Sequence, residues 1–287
     1  FEIIELNSTE NKKEEVIVAL LYPCDPISPL IGGIESFIKG VILNAPASIQ
    51  YYVVGATTDP KSRPVGQWTD CELEGVLFKF FPLYVVKERG KRSVIPATVQ
   101  YEMSALLRMP SLSFADVIES HRIEHLLFRA KKKPFNLFLH QNMTILNNPK
   151  SDILWKSAPK MYRFLEDKLF LRKGNIFCVR EDAVEEYKRV FPQMTEKFHF
   201  QPTWMDEKKF SPVSVDTEKK YRDWLCTEYG LDTNKPVAVS VGRIDSQKDP
   251  FLMLDAIALV RDQGETVQVI WVGDGVLKES LLKKIKE

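Results

Sequence analysis

The stretch that decides the fold is the apolar run Val16-Ile17-Val18-Ala19-Leu20-Leu21-Tyr22, which precedes the pair Gly32-Gly33 and a repeat of apolar residues. An unbroken apolar run of this length predicts a strand buried on both faces of a parallel sheet. Behind the glycines, apolar side chains recur every three or four residues and predict a helix that begins there. They are Ile34, Phe37, Ile38, Val41 and Ile42. Since Tyr51–Ala56 has the pattern of the next strand, the segment predicts a β-loop-α-β unit.

Similar elements alternate along the following part of the chain. Short apolar runs predict further strands, and stretches with helical spacing separate them. The strands are Val76–Phe81, Asp116–Ile118, Phe135–His140 and Asn175–Arg180, and the helical stretches are 97–109 and 159–172. This alternation is typical of an α/β fold in which helices cover the faces of a mostly parallel sheet.

A polar, proline-containing stretch from Gln201 to Lys235 interrupts the pattern. We therefore predict an N-terminal Rossmann-like domain over residues 1–201, an interdomain linker region over 202–235 and the start of a second domain over 236–287. Two strands and two helices make a small core. We expect the second domain to be truncated in this chain, or else to complete itself in a way that the sequence does not show.

The elements of the second domain have clear signals at their ends. Two strands and two helices are expected, and the first helix has Asp249 as its N-cap, Pro250 at its first position and Gly264 as its C-cap. The strands are Val237–Val241 and Val267–Val272, and the last helix is Leu277–Lys286. The prediction is again a β-α-β unit.

Composition limits the classes of function. The 287 residues carry 40 Lys and Arg against 39 Asp and Glu, a net charge of +1, which argues against a nucleic-acid-binding protein. A hydrophobic content of 44% excludes a disordered chain. The four cysteines form no close pair, which argues against a zinc knuckle or a disulfide framework and favours a reducing, cytoplasmic compartment. No apolar run approaches the ~20 residues of a membrane span.

The glycine pair is a candidate anion site. A helix N-terminus presents unpaired amide hydrogens and about half a positive charge, and glycines let a phosphate approach the backbone. Paired glycines before helices also serve merely as turns. The residues Gly32 and Gly33 leave both interpretations open.

A second candidate is the loop Gly242-Arg243-Ile244-Asp245-Ser246-Gln247-Lys248-Asp249, which follows a predicted strand. Ligands of open α/β sheets bind at the carboxyl ends of strands, so Arg243 and Lys248 could converge on one diphosphate. Arginine grips an oxygen pair with two hydrogen bonds, while lysine acts as a point charge. Charge alone favours the simpler alternative, a solvated loop.

Several short motifs fall in one order along the chain. They are Gly-Gly-Ile-Glu at 32–35, Ser120-His121, Leu139-His140, 164–170, Met205-Asp206 with Phe210 and Pro212, Val241-Gly242-Arg243 with Lys248-Asp249, and Val272-Gly273-Asp274-Gly275. In this order the chain resembles the retaining glycosyltransferases of family 4, which have the two-Rossmann-domain architecture called GT-B. The resemblance runs from about Val16 to the chain end and is strongest from Pro236 to Gly275.

The resemblance implies a donor site without a metal or other cofactor. In such enzymes the glycine-rich loop, here Gly32 and Gly33, gives a backbone amide to the donor diphosphate. Arg243 and Lys248 would act as catalytic cations that neutralise the leaving nucleoside diphosphate. The segment Gly273-Asp274-Gly275 would also belong to the donor site. The sequence has no Asp-x-Asp pair and no His or Cys cluster with metal-ligand spacing.

Three further residues are candidates on the acceptor and sugar side. His140 matches the histidine that the family places near the reacting sugar, and we assign it as catalytic, with a structural histidine at a strand end as the alternative. His121 follows another predicted strand in a similar context, where a structural role is favoured over a sugar contact. Glu35 is a candidate acceptor or sugar contact.

One motif of the family is missing, namely two glutamates eight residues apart that hold the donor. The leading interpretation is a metal-independent, retaining hexosyltransferase that moves a sugar from a nucleotide-diphosphate donor to a saccharide or lipid-linked acceptor in polysaccharide biosynthesis. The missing glutamates support two possibilities, a portion of a longer enzyme or a non-catalytic glycosyltransferase-like subunit. A sugar-nucleotide epimerase of the same architecture is a further alternative, whereas the absence of Gly-x-Gly-x-x-Gly argues against an oxidoreductase.

Basic runs at 87–92 and 129–133 lie in the acceptor half. They predict either solvated loop ends or contacts with an anionic lipid-linked acceptor or a membrane surface. We therefore expect a cytoplasmic protein, with peripheral contact at the inner face of the membrane as a further option.

Overall fold

The computed structural model describes residues 15–28, 32–86, 95–127, 129, 131–140 and 158–286. These residues belong to two compact units. The first unit ends at Asp206 and the second continues from Glu207 to the end of the chain.

The first unit is built on an eight-stranded sheet. In chain order its strands are β1 (Val16–Leu21), β2 (Ile49–Thr57), β3 (Thr69–Leu73), β4 (Val76–Val85), β5 (Val117–Ser120), β6 (Phe135–Leu139), β7 (Gly174–Cys178) and β8 (Phe198–Phe200). Their order across the sheet is β3-β4-β2-β1-β5-β6-β7-β8, and each neighbouring pair is parallel except β3 with β4. The α/β fold predicted from the sequence, with a mostly parallel sheet, is confirmed.

Helices lie between most of the other strands, whereas β2, β3 and β4 follow one another without a helix. The helices are α1 (Gly33–Leu43), α2 (Ala97–Arg108), α3 (Glu124–Leu127), α4 (Pro159–Phe170) and α5 (Glu181–Val190), followed by a 3₁₀ turn at Pro192–Lys197. The predicted helix that begins at the glycines is confirmed, and α2 and α4 lie where helical spacing indicated them. Strand β5 is displaced toward the carboxyl side of its predicted range, and β4 continues past Phe81 to Val85.

Strand β1 shows how the core is divided between the two faces of the sheet. Val18 and Leu20 pack in the cluster on the side of α1, while Ala19 and Leu21 pack in the cluster on the opposite side. Because neighbouring side chains alternate between faces, an apolar residue is needed at each of these positions. The interpretation of β1 as a strand buried on both faces is confirmed.

After β8 the chain returns to α1 and places Trp204 on Gly40. A Cβ built on Gly40 would lie 2.3 Å from ring atoms of Trp204, which is far inside van der Waals contact. Gly40 therefore lets the indole pack directly on the helix backbone.

The second unit contains a parallel pair of strands and three helices. They are α6 (Val215–Tyr229), β9 (Val237–Val241), α7 (Pro250–Asp262), β10 (Gln268–Val272) and α8 (Lys278–Lys286). Helix α6 lies within the stretch interpreted as a linker. It begins at Ser214, whose side chain accepts a hydrogen bond from the Thr217 amide, and it ends at Gly230 in the left-handed conformation.

The ends of α7 agree only in part with the sequence analysis. Gly264 follows the helix with a φ of +85°, which agrees with the expected C-cap. Asp249 precedes the helix, but its side chain makes no capping hydrogen bond. Its backbone is left-handed (φ 45°, ψ 62°), whereas a capping residue needs an extended conformation to aim its oxygen at the first amides. The predicted positions of Asp249 as the N-cap residue and of Pro250 at the start of the helix are confirmed, although the Asp249 side chain does not cap the helix amides.

Candidate functional site

The glycine loop meets helix α1 at the carboxyl edge of the first sheet. Gly32 is the N-cap residue, and its carbonyl accepts the first helical hydrogen bond from the Ser36 amide at 3.0 Å. Gly33 is exposed, and a Cβ built on it would meet no atom of the described residues within 4 Å. Packing therefore does not explain the glycine at position 33, which leaves free approach to the helix amides.

Glu35 lies in the first turn of the same helix. Its Oε2 is buried and has no hydrogen-bond partner among the described residues. Burial raises the pKa of the Glu35 carboxyl to about 7. At neutral pH this carboxyl is therefore partly protonated beside the glycine loop, and it can donate as well as accept a hydrogen bond.

The two candidate histidines meet at the ends of adjacent strands. His121 follows β5 and His140 follows β6, and His121 Nδ1 lies 2.9 Å from His140 Nε2. His121 is only 3% exposed, whereas His140 is half-buried. Burial lowers the pKa of both imidazoles to about 3, so both rings are neutral at pH 7.

Aromatic rings hold the histidines in place from the side of α1. The Phe37 ring lies edge-on to His121 and His140, with centroid distances of 5.5 and 5.3 Å. Phe138 stacks on His121 at 5.1 Å. Since Phe37 belongs to the helix that begins at the glycines, one element positions both the glycine loop and the histidine pair.

A buried carboxyl, which the sequence analysis did not identify, lies behind the histidines. Glu119 on β5 is 3% exposed, and its Oε1 lies 3.5 Å from His121 Nε2. Tyr51 on β2 donates a hydrogen bond to Glu119 Oε2 at 3.5 Å. Burial raises the pKa of Glu119 to about 8, and the Tyr51 hydrogen bond offsets only part of that rise. With a neutral imidazole opposite, Glu119 and His121 form a polar contact and not an ion pair at pH 7.

The second unit presents the basic loop at the carboxyl end of β9. Asp245 organises this loop, because its Oδ1 accepts hydrogen bonds from the amides of Gln247 and Lys248 at 3.1 and 3.2 Å. Its Oδ2 lies 3.2 Å from Arg243 Nη1, and Arg243 Nη2 donates to Gln247 Oε1 at 2.6 Å. Asp245 is almost buried, while the side chains of Arg243 and Lys248 are exposed. The loop therefore holds two cations on a preformed backbone.

The glycines after β10 pack against that same loop. A Cβ on Gly273 would lie 1.9 Å from the Gly242 carbonyl oxygen, and one on Gly275 would lie 2.2 Å from the Ile244 carbonyl oxygen. The Ile244 amide donates to the Asp274 carbonyl at 2.9 Å. The glycines are thus required by close backbone approach, and the two loops form one surface at the carboxyl edge of the β9–β10 pair.

The structure thus places the predicted residues in two groups. Gly32, Gly33, Glu35, His121 and His140 belong to the first unit, and Arg243, Lys248 and Gly273-Asp274-Gly275 belong to the second. Sequence reasoning missed Glu119 and Asp245. Glu119 directly follows the strand predicted at Asp116–Ile118, and Asp245 lies between the two recognised cations, but only their positions are visible in the sequence.

The remaining sequence features have simpler environments. The basic run at 87–92 lies outside the described residues. In the second run, Arg129 pairs with Glu102 at 2.7 Å inside the first unit, whereas Lys131 and Lys132 are exposed.

All four cysteines are free and buried. Within the described ranges, no group of three or more His, Cys, Asp or Glu residues could hold a metal ion, and no helix is long and apolar enough to cross a membrane.

No family model and no curated protein matches the chain. Among solved structures, it is similar to an α,α-trehalose-phosphate synthase (UDP-forming) from Burkholderia xenovorans, determined with glucose-6-phosphate, at a TM-score of 0.59 and 12% identity over 94% of this chain and 69% of that one. It is also similar to the N-terminal domain of Candida albicans trehalose-6-phosphate phosphatase (TM-score 0.56, 13% identity, 94% and 67% coverage). The apo structure of OtsA is similar at a TM-score of 0.53 and 14% identity, over 95% of this chain and 68% of that one.

At these identities the similarity shows the fold alone. The chain has the GT-B type α/β fold that the sequence resemblance predicted.

Proposed function

We propose that the protein is a retaining glycosyltransferase that moves a sugar from a nucleotide-diphosphate donor to a saccharide or lipid-linked acceptor. The observation that carries the proposal is the basic loop after β9, in which Asp245 holds the backbone amides of the segment that bears Arg243 and Lys248. Two exposed cations on a preformed loop at the carboxyl edge of a parallel sheet suit a diphosphate. The GT-B type fold supports glycosyl transfer as the reaction class.

The glycine loop of the first unit supports the same proposal. Gly33 opens the helix amides to a ligand, and the resemblance assigns this loop to the donor diphosphate. His140, at the neighbouring strand end, is neutral and can therefore exchange hydrogen bonds with a sugar hydroxyl without adding charge. Glu35 beside it is a candidate contact of the acceptor or the sugar.

The proposed mechanism is electrostatic. As the bond between the sugar and the diphosphate breaks, negative charge grows on the departing phosphate and positive charge grows on the sugar. Arg243 and Lys248 then interact more strongly with the transition state than with the bound donor, which lowers the barrier. Proton transfer from the acceptor to the departing phosphate oxygen completes the exchange, and no metal is required in this proposal.

Two other functions make different predictions for the same site. A non-catalytic subunit with this fold would bind a partner chain and would not turn over any nucleotide sugar. A sugar-nucleotide epimerase would convert one nucleotide sugar into another without an acceptor. The spacing of Gly242-Arg243 and Lys248, which resembles that of the transferases, favours transfer.

A screen of the purified full-length protein with a panel of nucleotide sugars tests the proposal. We expect slow hydrolysis of one donor, unchanged by a metal chelator, and transfer with retained anomeric configuration once an acceptor is supplied. An isomerised nucleotide sugar would instead identify an epimerase. Absence of both binding and turnover across the panel would support the non-catalytic subunit.

We also propose that the protein is cytoplasmic and contacts the inner face of the membrane through exposed lysines. Of the second basic run, Lys131 and Lys132 are exposed, whereas Arg129 is held by Glu102. A lipid-linked acceptor would bring the protein to an anionic surface that such lysines attract. Vesicles of phosphatidylcholine with and without phosphatidylglycerol separate the possibilities, since equal binding to both would contradict the proposal.

A further inference from the structure

Four polar side chains form a chain of contacts on the α1 side of the first sheet. They run from Tyr51 on β2 through Glu119 and His121 on β5 to His140 after β6. Glu119 and His121 are two residues apart, so both point to the same face of the sheet. The contact chain therefore begins in the buried interior and ends at the carboxyl edge of the sheet.

The last contact determines which atom of His140 faces outward. His140 Nε2 lies 2.9 Å from His121 Nδ1 and is therefore engaged inside the protein. Among the described residues no hydrogen bond engages His140 Nδ1, so this ring nitrogen is the one we assign to a ligand. The Phe37 and Phe138 rings pack against this pair and restrict rotation of the imidazoles.

Each hydrogen bond needs one donor and one acceptor, so the protonation state of Glu119 fixes which ring nitrogen of His121 and of His140 carries a proton. If Glu119 is protonated and donates from Oε1 to His121 Nε2, then His121 Nδ1–H donates to His140 Nε2, and His140 carries its proton on Nδ1. If Glu119 is ionised, His121 carries its proton on Nε2, its Nδ1 accepts from His140 Nε2–H, and His140 Nδ1 is an acceptor. In both arrangements the rings are neutral, and they differ by the single proton on Glu119.

We propose that Glu119 and His121 are positioning residues that set the tautomer of His140, so that protonation of Glu119 decides whether His140 Nδ1 donates or accepts a hydrogen bond. This inference rests on the proposed function in one respect, the assignment of His140 to the sugar. It gives His121 a role behind His140 and not in direct contact with the sugar. The nearly complete burial of His121 agrees with that role.

The buried polar atoms of this pair point to the same connection. Glu119 Oε1 and His121 Nε2 face each other at 3.5 Å, and neither atom has a hydrogen-bond partner among the described residues. Such atoms are costly to bury unless they interact. A hydrogen bond between these two atoms, donated by a protonated Glu119 or by His121 Nε2–H, would remove this cost.

The surroundings favour the protonated form of Glu119 at neutral pH. Burial raises its pKa to about 8, and the hydrogen bond that Tyr51 donates to Glu119 Oε2 opposes only part of this rise. The groups that face the two imidazoles are Tyr22 after β1, His125 on α3 and Arg122 after His121. Burial is the main cause of the low pKa of His140, and the charge of Arg122 lowers it further, which favours the neutral ring. We therefore expect the Nδ1–H form of His140 below pH 8 and the Nε2–H form above it.

Nitrogen NMR of the histidine rings tests this inference directly. Full-length protein labelled with ¹⁵N-histidine is recorded at pH 6.5 and pH 9, and His140→Asn assigns the resonances. We expect the ring shifts of His140 to exchange between protonated and unprotonated nitrogen as the pH rises. In Glu119→Gln, whose amide can donate to His121 but cannot ionise, we expect the Nδ1–H form at both values.

Glu166→Gln is the matched control, because Glu166 is also a fully buried glutamate of the first unit but bonds to Tyr187 and Arg163. We expect its His140 shifts to follow those of the unaltered protein. One tautomer at both pH values in the unaltered protein, or a pH-dependent exchange that persists in Glu119→Gln, would overturn the inference.

Sugar transfer by His140→Asn separates this inference from the proposed function. Transfer at the unaltered rate would remove His140 from the sugar site and leave the tautomer result standing. If the tautomer of His140 stays the same at both pH values but His140→Asn loses transfer, His140 keeps its place in the sugar site and the tautomer inference fails.

Discussion

The two candidate regions differ in charge: the side chains of the first are neutral, and those of the second are cationic. In the first unit, Glu119, His121 and His140 are buried or half-buried and are neutral at pH 7, because burial shifts each pKa toward the uncharged form. In the second unit, Arg243 and Lys248 are exposed and charged, and Asp245 is the group that organises them. The first region arranges hydrogen bonds, and the second arranges charge.

This difference agrees with a division of labour in glycosyl transfer. A sugar is neutral and is recognised through the direction of its hydroxyl groups, which a neutral, aromatic-packed histidine can match. A diphosphate is recognised by charge, which an exposed cationic loop supplies. Changes in the two regions should therefore affect different measurements.

The largest effect is expected for Arg243→Ala. It removes the cation that would bind the departing diphosphate, so we expect kcat/KM for the donor to fall on the order of 10²-fold or more. Arg261→Ala, which removes an exposed arginine near the end of α7, serves as the control and should remain near the unaltered value. Activity of Arg243→Ala within a few-fold of the unaltered protein would contradict the assigned role.

Gly40→Ala should lower the stability of the first unit. Its Cβ would lie 2.3 Å from the Trp204 ring, and overpacking of this kind costs about 1–3 kcal/mol. Urea unfolding followed by tryptophan fluorescence measures the change. An unfolding midpoint equal to that of the unaltered protein would show that Trp204 does not rest on the helix backbone.

Gly33→Ala is the matched change at the other end of α1. No described atom lies within 4 Å of the new Cβ, so we expect stability to be retained. Donor affinity should nevertheless fall roughly tenfold, or about 1.4 kcal/mol, because the methyl group would meet the approaching phosphate. Calorimetric titration with the donor measures the affinity of Gly33→Ala. An unchanged affinity would mean that Gly32 and Gly33 serve merely as a turn and do not contact the phosphate.

The smallest effect concerns the pH dependence of stability. Folded Glu119 keeps its proton up to a pKa of about 8, whereas the unfolded glutamate loses it near 4.5. Between these values the folded state binds more protons, so this group makes stability fall as the pH rises. The lowered pKa values of His121 and His140 act in the opposite direction, mainly below about 6.5, and they do so equally in the unaltered protein and in Glu119→Gln.

The free energy of unfolding is therefore measured above pH 6.5, where the histidines contribute least to its pH dependence. Between pH 6.5 and 7.5 we expect the unaltered protein to lose about 1 kcal/mol more of its free energy of unfolding than Glu119→Gln. Urea titrations at both pH values decide this. Parallel slopes for the two proteins would mean that Glu119 is ionised in the folded state.

In both units the sequence predicts some elements better than others. Apolar runs and helical spacing located β1, α1 and the β9-α7-β10 unit, because burial imposes a periodic pattern that is visible locally. Strand β3 was missed because this antiparallel edge strand buries only Cys71 and Leu73. Helix α6 was missed because its sole buried residue is Cys226, which gives no apolar stripe.

The same limit applies to the candidate site. The basic loop carries its chemistry in adjacent residues, so the sequence identified Arg243 and Lys248 directly. The contact between Tyr51, Glu119 and His121 joins two strands that are 68 residues apart in the chain. Nothing local shows that these side chains meet, or that burial keeps them neutral.

Calorimetric titration of the full-length protein with a nucleoside diphosphate tests the central claim most directly. The unaltered protein should bind the diphosphate of its donor, and replacement of both Arg243 and Lys248 by alanine should weaken binding on the order of 10²-fold. Equal dissociation constants for the two proteins would contradict the assignment of the basic loop to the donor diphosphate.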